Sequence, residues 1–245
     1  MLNVIALAVL PALILIYYTF IQDKMQREPV KMIVKGFFFG CLSALLSFAI
    51  SIPSMHLGLF PDVDEANSML DAFRISFFGA AIPEETAKLL CLWLFLRKNP
   101  YFDERMDGIV YAVCVGMGFA AFENIGYLFE SSDWVATGIG RSLTAIPGHF
   151  GFAVLMGYYY SLHHFDAYKA PHAGLKMWLY PVLAHGAYDT IAFTADVNDE
   201  LAGIITIVIL LFCFWMVKWA RKSMKKHLMA DASDFGTGDG IDIQG

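Results

Sequence analysis

Seven residues of this chain carry ionisable or imidazole side chains where the surrounding sequence is almost uncharged: Glu84, Glu85 and Lys88, then Glu123, His149, and finally His185 with Asp189. Carboxylates and imidazoles in this combination suit two kinds of chemistry. A glutamate general base, alone or beside a metal, activates water for hydrolysis while neighbouring donors stabilise the oxyanion. Buried acids and histidines also relay protons or hold cations along a transport path. Glu123, His149 and His185, with Asp189 in support, are the residue types of a three-ligand Zn2+ site with an open fourth position. On a helix, Glu84 and Glu85 lie four and three residues before Lys88, so either carboxylate can pair with the ammonium. The two glutamates point about 100° apart, so one serves the chemistry while the other orients it or pairs with Lys88, and spacing leaves open which is the base. His185 and Asp189 share one helix face, where the aspartate can fix the imidazole or join it as a ligand. Pro83, Pro147 and Pro181 precede site residues closely. Each removes a backbone hydrogen bond, a loss tolerated at membrane depth where the backbone lines a wet cavity.

The elements that must position these groups are membrane helices. Of 245 residues, 58% are hydrophobic and 16% charged, with a mean hydropathy of +0.55; soluble domains carry about 25% charged residues. Stretches such as 2–21 and 201–219 run uncharged for the roughly 20 residues needed to cross a bilayer. This excludes a soluble globule and a disulfide-stapled secreted domain, and the net charge of −6 adds to the case against a nucleic-acid binder. The pattern predicts an all-α polytopic protein with about seven transmembrane helices over 2–21, 35–57, 73–96, 108–129, 139–162, 177–195 and 201–219. The ten-residue alternation of a β-barrel is absent from the sequence. No basic region precedes the first apolar stretch, so that helix is expected to stay in the protein. Residues 1–229 form the integral-membrane domain, and the polar, Asp- and Gly-rich segment 230–245 is expected to be a disordered tail.

Charge sets the orientation. Segments 22–35, 97–107, 163–176 and 218–226 hold 14 of the 17 Lys and Arg residues, while 58–72, 130–138 and 196–200 hold none and are acidic. The positive-inside rule therefore puts the N-terminus outside and the C-terminus in the cytoplasm. Arg74 and Arg141 fall near outer helix ends and are expected to snorkel outward; Lys88 is too deep to do so. At 1.5 Å per residue, Glu84, His149 and His185 lie roughly 15 Å from the outer helix ends, and Glu123 and Asp189 about 10 Å.

Each feature has a structural reading too. Glu85 and Lys88 can form a plain intramembrane ion pair, His149 can be a packing residue, and Glu123 with Asn124 can hold helices together. Four helices delivering polar groups to one level argue for a single site instead. That site sits in one half of the membrane, and the sequence has no inverted repeat, which weighs against a proton- or cation-coupled transporter. A non-catalytic membrane scaffold is a third reading. Cys41, Cys91, Cys114 and Cys213 stand singly inside spans and read as small apolar residues. Gly36 and Gly40 form a helix-packing GxxxG, and Trp134 and Trp178 suit interface belts.

Four motifs in order then become recognisable: Glu84-Glu85-Thr86-Ala87-Lys88 (EExxK), Phe119 through Glu123 (FxxxE) followed by Asn124, the separate His149, and His185 through Asp189 (HxxxD). With Arg27-Glu28-Pro29-Val30 and the stretch from Phe102 to Tyr111, they resemble the PrsW family of bacterial intramembrane proteases over about residues 1–225. The resemblance implies an intramembrane endopeptidase of the bacterial cell (inner) membrane. Its implied partner is a single-pass membrane protein such as an anti-sigma factor, cut at site 1 on the extracytoplasmic side. In the related CAAX prenyl endopeptidases the second motif ends in His where Glu123 stands. Carried over from these relatives, Glu84 is the base, Glu123 its partner, and His185 and Asp189 the oxyanion or ligand group. Lys88 and Asn124 are implied to pair and support, and the metal, where one is used, is implied to be Zn2+.

Overall fold

The computed structural model describes residues 1–197 and 201–236. Among the described residues the chain is helical with no strand, and its α-helices are α1 (Leu2–Gln22), α2 (Val30–His56), α3 (Met69–Arg74), α4 (Ile82–Leu96), α5 (Arg105–Glu130), α6 (Trp134–Leu143), α7 (Ala145–Phe165), α8 (Ala173–Val197) and α9 (Ala202–Asp234). Helix α5 is the axis of the bundle. Its apolar window is 83% buried, against 22% for α1, 28% for α2 and 22% for α9. The outer helices turn Leu13, Tyr17, Phe38, Phe48, Leu211 and Phe214 outward. Such a belt is unfavourable against water and is what a lipid-solvated surface presents.

Close approach to α5 depends on glycine. A Cβ at Gly40 on α2 would collide with the Val115 carbonyl, and one at Gly118 with the Phe37 carbonyl, so α2 and α5 meet backbone to backbone. Gly36, the other half of the GxxxG, packs on Cys114. Helix α7 approaches the opposite stretch of α5 in the same manner through Gly108 and Gly157. Small residues are the means by which membrane helices gain packing contact when no hydrophobic drive separates helix from lipid.

Four of the seven expected spans, now α1, α2, α5 and α9, have the length and hydropathy to cross a membrane by composition alone. The other three carry Glu84, Glu85, His149, His185 and Asp189, and two of them are less regular. The expected span 73–96 is a continuous helix of three registers, α3, a π segment Ile75–Ala81, and α4. The expected span 139–162 is two helices that break at Thr144 (φ −123°, ψ −69°). The break follows from Pro147, which cannot donate to the Leu143 carbonyl four residues back and so ends α6 there. Seven remains the expected number of crossings.

The first residues of the expected tail, 230–234, are helical. Helix α9 runs on to Asp234, because Asp231 accepts from the backbone N–H groups of Arg105 (3.1 Å) and Met106 (3.0 Å) at the start of α5. The Arg105 guanidinium adds bonds to Asp231 (3.0 Å), Asp234 (2.7 Å) and Asp166 (2.6 Å). Residues 237–245 of the expected tail, and Asp199 and Glu200 of the third acidic loop, lie outside the described residues.

Candidate active site

The helix that carries Glu84 and Glu85 is prepared by its irregular start. In the π segment the Ile82 N–H donates to the Phe77 carbonyl, five residues back. Pro83 follows with no N–H to give. A π turn ahead of a proline widens the helix where it presents its functional side chains, a recurrent use of such turns. His149 sits in the first turns of α7, just after the Thr144 break. His185 follows Pro181 within α8, where the missing N–H releases the Met177 carbonyl.

The structure brings all the expected site residues together. Lys88 is central: its Nζ lies 2.8 Å from Glu85 Oε1, 3.2 Å from Glu84 Oε2 and 3.4 Å from His149 Nδ1. The ammonium also rests 3.8 Å from the centroid of the Phe119 ring, an attraction that strengthens away from water. His185 stands between two carboxylates, with Nδ1 2.9 Å from Glu85 Oε1 and Nε2 3.2 Å from Asp189 Oδ2. Phe152 stacks on its ring at 4.9 Å and fixes its plane. His149 Nε2 lies 3.1 Å from Glu123 Oε2. Contacts between residues up to 100 positions apart in sequence thus form one connected network, as helices contributing to a single site require.

The two adjacent glutamates divide. Glu85 is fully buried, held by Lys88 and His185 through Oε1, while its Oε2 has no hydrogen-bond partner among the described residues. Glu84 is partly exposed and, with Glu123, lines a cavity of about 330 Å³ bordered by Ser47, Ser51, Phe119, Phe122 and Tyr127. Of the pair in the EExxK motif, Glu84 is the one that faces the cavity.

Arg141 was the residue missed. Expected to snorkel outward, it turns inward, with Nη2 2.6 Å from Glu123 Oε2 and Nε donating to Asn124 Oδ1 at 2.6 Å. Its guanidinium lies 3.8 Å from the centroid of the Tyr127 ring. The short helix α6 makes this reach available by ending at Leu143 and laying Arg141 across α5. A charged residue three positions before the Thr144 break, in an otherwise uncharged outer segment, was the sequence signal. Arg74 is half-buried and donates to the Leu59 and Gly58 carbonyls. Trp178 is committed to the protein, donating to Thr86 Oγ1 at 2.9 Å.

The donor set suits a divalent cation. Glu84, Glu85, His149 and His185 each offer a ligand atom, all within 4.8 Å of one another, and mixed imidazole and carboxylate donors are those zinc takes. The unpartnered Oε2 of Glu85 is an acceptor that a cation would satisfy. Of the expected ligands, His149 and His185 belong to this group. Glu123 is held by Arg141 and meets the group through His149 instead.

With this geometry, comparison with known proteins is decisive. Residues 28–217 match the family described as PrsW family intramembrane metalloprotease. The chain belongs to the PrsW family. It is 31% identical to Protease PrsW of Bacillus subtilis (strain 168) over 230 residues, covering 94% of this chain and 99% of that one. It is 30% identical to Protease PrsW of Clostridioides difficile (strain 630) over 88% of both chains. For Protease PrsW of Geobacillus kaustophilus (strain HTA426) the figures are 30% identity over 90% of this chain and 93% of the relative. No solved structure matches. As a PrsW protein the chain is an intramembrane peptidase, and the transporter reading is not favoured.

Proposed function

We propose that this PrsW protein hydrolyses a peptide bond of a single-pass membrane protein, with Glu84 as general base acting from the cavity wall. The observation that carries the reading is the division of the two glutamates: Glu84 borders the cavity while Glu85 is sealed behind Lys88 and His185. Glu84 takes a proton from a water poised at the scissile carbonyl, and the water oxygen attacks the carbon. His185, held by Glu85 at Nδ1, turns its Nε2 N–H from Asp189 toward the developing oxyanion. Glu84 then returns the proton to the leaving amine. Glu123 lines the same cavity, and Arg141 balances its charge so that two carboxylates can share that wall.

A zinc ion in this site would be held by His149, His185 and Glu85, three ligands that leave Glu84 free for the cavity. It supplies Lewis acidity toward the scissile carbonyl when bound. Lys88 sits among the same donors, and its ammonium occupies the electrostatic role that a cation would share.

The protein resides in the bacterial cell (inner) membrane with its N-terminus outside, an orientation supported by the basic and acidic loop alternation. The site then lies in the outer half of the bilayer and the cut is extracytoplasmic. An anti-sigma factor cleaved at site 1 is the substrate that the family likeness suggests.

The test compares membrane-protein ectodomain fragments released by wild-type cells with those released by cells carrying Glu84→Gln. The expected result is loss of a defined fragment, reproduced by the purified enzyme on the corresponding substrate. Undiminished cleavage by purified Glu84→Gln protein would remove Glu84 from the chemistry. Full activity of a demonstrably metal-free preparation would remove the zinc.

A further inference from the structure

A second set of buried carboxylates lies at the other end of α5. Asp23 ends α1, Glu104 is the residue before α5, and Asp107 is in the first turn of that helix. The relative exposures of the three are 0%, 2% and 0%. Their ligand oxygens all fall within 4.8 Å of one another. Asp107 uses Oδ2 to accept from the Glu104 N–H (2.8 Å) and the Asp103 N–H (3.0 Å), which fixes its carboxylate and turns Oδ1 toward the cluster. Asp107 Oδ1 and both oxygens of Asp23 are buried with no hydrogen-bond partner among the described residues, and the buried Glu104 carboxylate accepts the capping-box N–H of Asp107. Three buried carboxylates that each bring one oxygen to within 4.8 Å of the others are an arrangement that folding penalises unless something binds them.

Two neighbouring polar groups are committed to other partners. Glu28, beside the cluster, is bound by the Tyr111 hydroxyl. Arg105, on the same turn, is committed to Asp166, Asp231 and Asp234. Burial and the neighbouring acidic groups raise Asp23 and Glu104 well above the usual carboxylate range, the mark of a site that wants a positive charge or protons.

We propose that Asp23, Glu104 and Asp107 form a structural site for a hard divalent cation, of the Mg2+ or Mn2+ class, that clamps the end of α1 to the start of α5. An all-oxygen, carboxylate-rich donor set is what such ions take, and the absence of imidazole or thiolate in it turns zinc and copper away. The site is separate from the catalytic cluster, which uses the opposite end of α5. By tying two helices at the basic-loop face, the cation would hold the bundle end that Asp231 and Arg105 complete.

The test uses the full-length protein in detergent, in a Glu85→Gln/His185→Ala background that removes two donors of the catalytic cluster. Mn2+ is titrated and followed by electron paramagnetic resonance, with thermal unfolding measured in parallel. The expected result is one bound Mn2+ per chain and a higher unfolding midpoint with Mn2+ or Mg2+. Adding Asp23→Asn and Glu104→Gln should abolish both, and the milder Asp107→Asn alone should weaken binding at least about tenfold. The milder variant covers the case in which the double substitution does not fold. No Mn2+ bound at about 1 mM, the weak end of the range for such sites, would overturn the proposal. So would equal binding by the Asp23, Glu104 or Asp107 variants, or a cluster satisfied by protons alone, seen as stability that responds to pH and not to the ion.

Discussion

Replacing Arg141 by methionine separates its contribution from simple packing, because methionine keeps the length and loses the charge. The guanidinium makes two contacts of 2.6 Å, to Glu123 and to Asn124, and lies over the Tyr127 ring. A hydrogen bond to a charged group contributes about 1.5–3 kcal/mol and the ring contact about 0.5–1 more. The side chains of Arg141 and Glu123 are 18% and 22% exposed, so solvent screening keeps the total toward the lower end. Arg141→Met is therefore expected to cost about 2–3 kcal/mol in equilibrium unfolding in mixed micelles. Most of that loss is the penalty of leaving the Glu123 carboxylate unpaired beside Glu84 and His149. Adding Glu123→Gln removes the orphaned charge, so the double variant should recover about 1.5 kcal/mol over Arg141→Met. Cleavage by Arg141→Met should fall about tenfold or more, because an uncompensated Glu123 disturbs the proton carried by Glu84, and the double variant should not regain it. A coupling below about 0.5 kcal/mol, or a double variant no more stable than the single, would refute this account of Arg141.

Other perturbations separate the remaining roles. Glu84→Gln should abolish cleavage while leaving unfolding close to wild type, whereas Glu85→Gln should cost about 1.5–3 kcal/mol because Lys88 and His185 lose their nearest carboxylate; both are read by unfolding together with cleavage of a purified substrate. Asp189→Asn should slow cleavage about 10–100-fold with little loss of stability, the scale for a residue that orients a catalytic histidine. Gly118→Val forces a branched side chain against the Phe37 carbonyl and should destabilise by at least about 2 kcal/mol, read by the thermal midpoint. At the basic-loop face, burial raises Asp23 to about 7 and Glu104 to about 8, while in the unfolded chain such groups ionise near 4. Between those values the folded protein holds protons that the unfolded chain has shed. Stability without added divalent ions should thus fall as pH rises from about 5 to 8, by at most about 1.4 kcal/mol per pH unit per group, and Asp23→Asn/Glu104→Gln should flatten the profile.

Much of the fold was legible because membrane helices announce themselves by length and apolarity, and α1, α2, α5 and α9 follow that rule. Elements that carry charge were harder to read. Hydropathy joined α6 to α7 as one span because it does not see the hydrogen bond that Pro147 withholds from Leu143. The π register before Ile82 has no residue signature apart from the proline that follows. The site residues were legible because charge in hydrocarbon is expensive enough to need a reason, and helical spacing paired Lys88 with the two glutamates. Arg141 was not legible by the same logic, since an arginine near a helix end reads as a snorkelling residue until a helix break is known to aim it inward. Asp23, Glu104 and Asp107 escaped for another reason: they fall in loops and first turns, where acidic residues are ordinary, and only tertiary packing buries them.

The EExxK motif places two identical acids side by side, and the bundle makes them unequal by assigning them to different dielectrics. Glu85 points into a dry interior where its contacts with Lys88 and His185 are barely screened, so the three hold one another in fixed positions. Glu84 points 100° away, reaches the same ammonium at 3.2 Å, and touches the cavity. A buried acid held by Lys88 and His185 behind a cavity-facing one is the arrangement a general base needs, because its proton must come from water while its position must not drift. Arg141 extends the same solution to Glu123. The bundle can carry four carboxylates in one network because each has a partner: Lys88 for Glu84 and Glu85, Arg141 for Glu123, and His185 for Asp189. Removing any one cation should therefore disturb a carboxylate beyond its own contact, which is why the Arg141 cycle tests the organisation of the whole site and not only one ion pair.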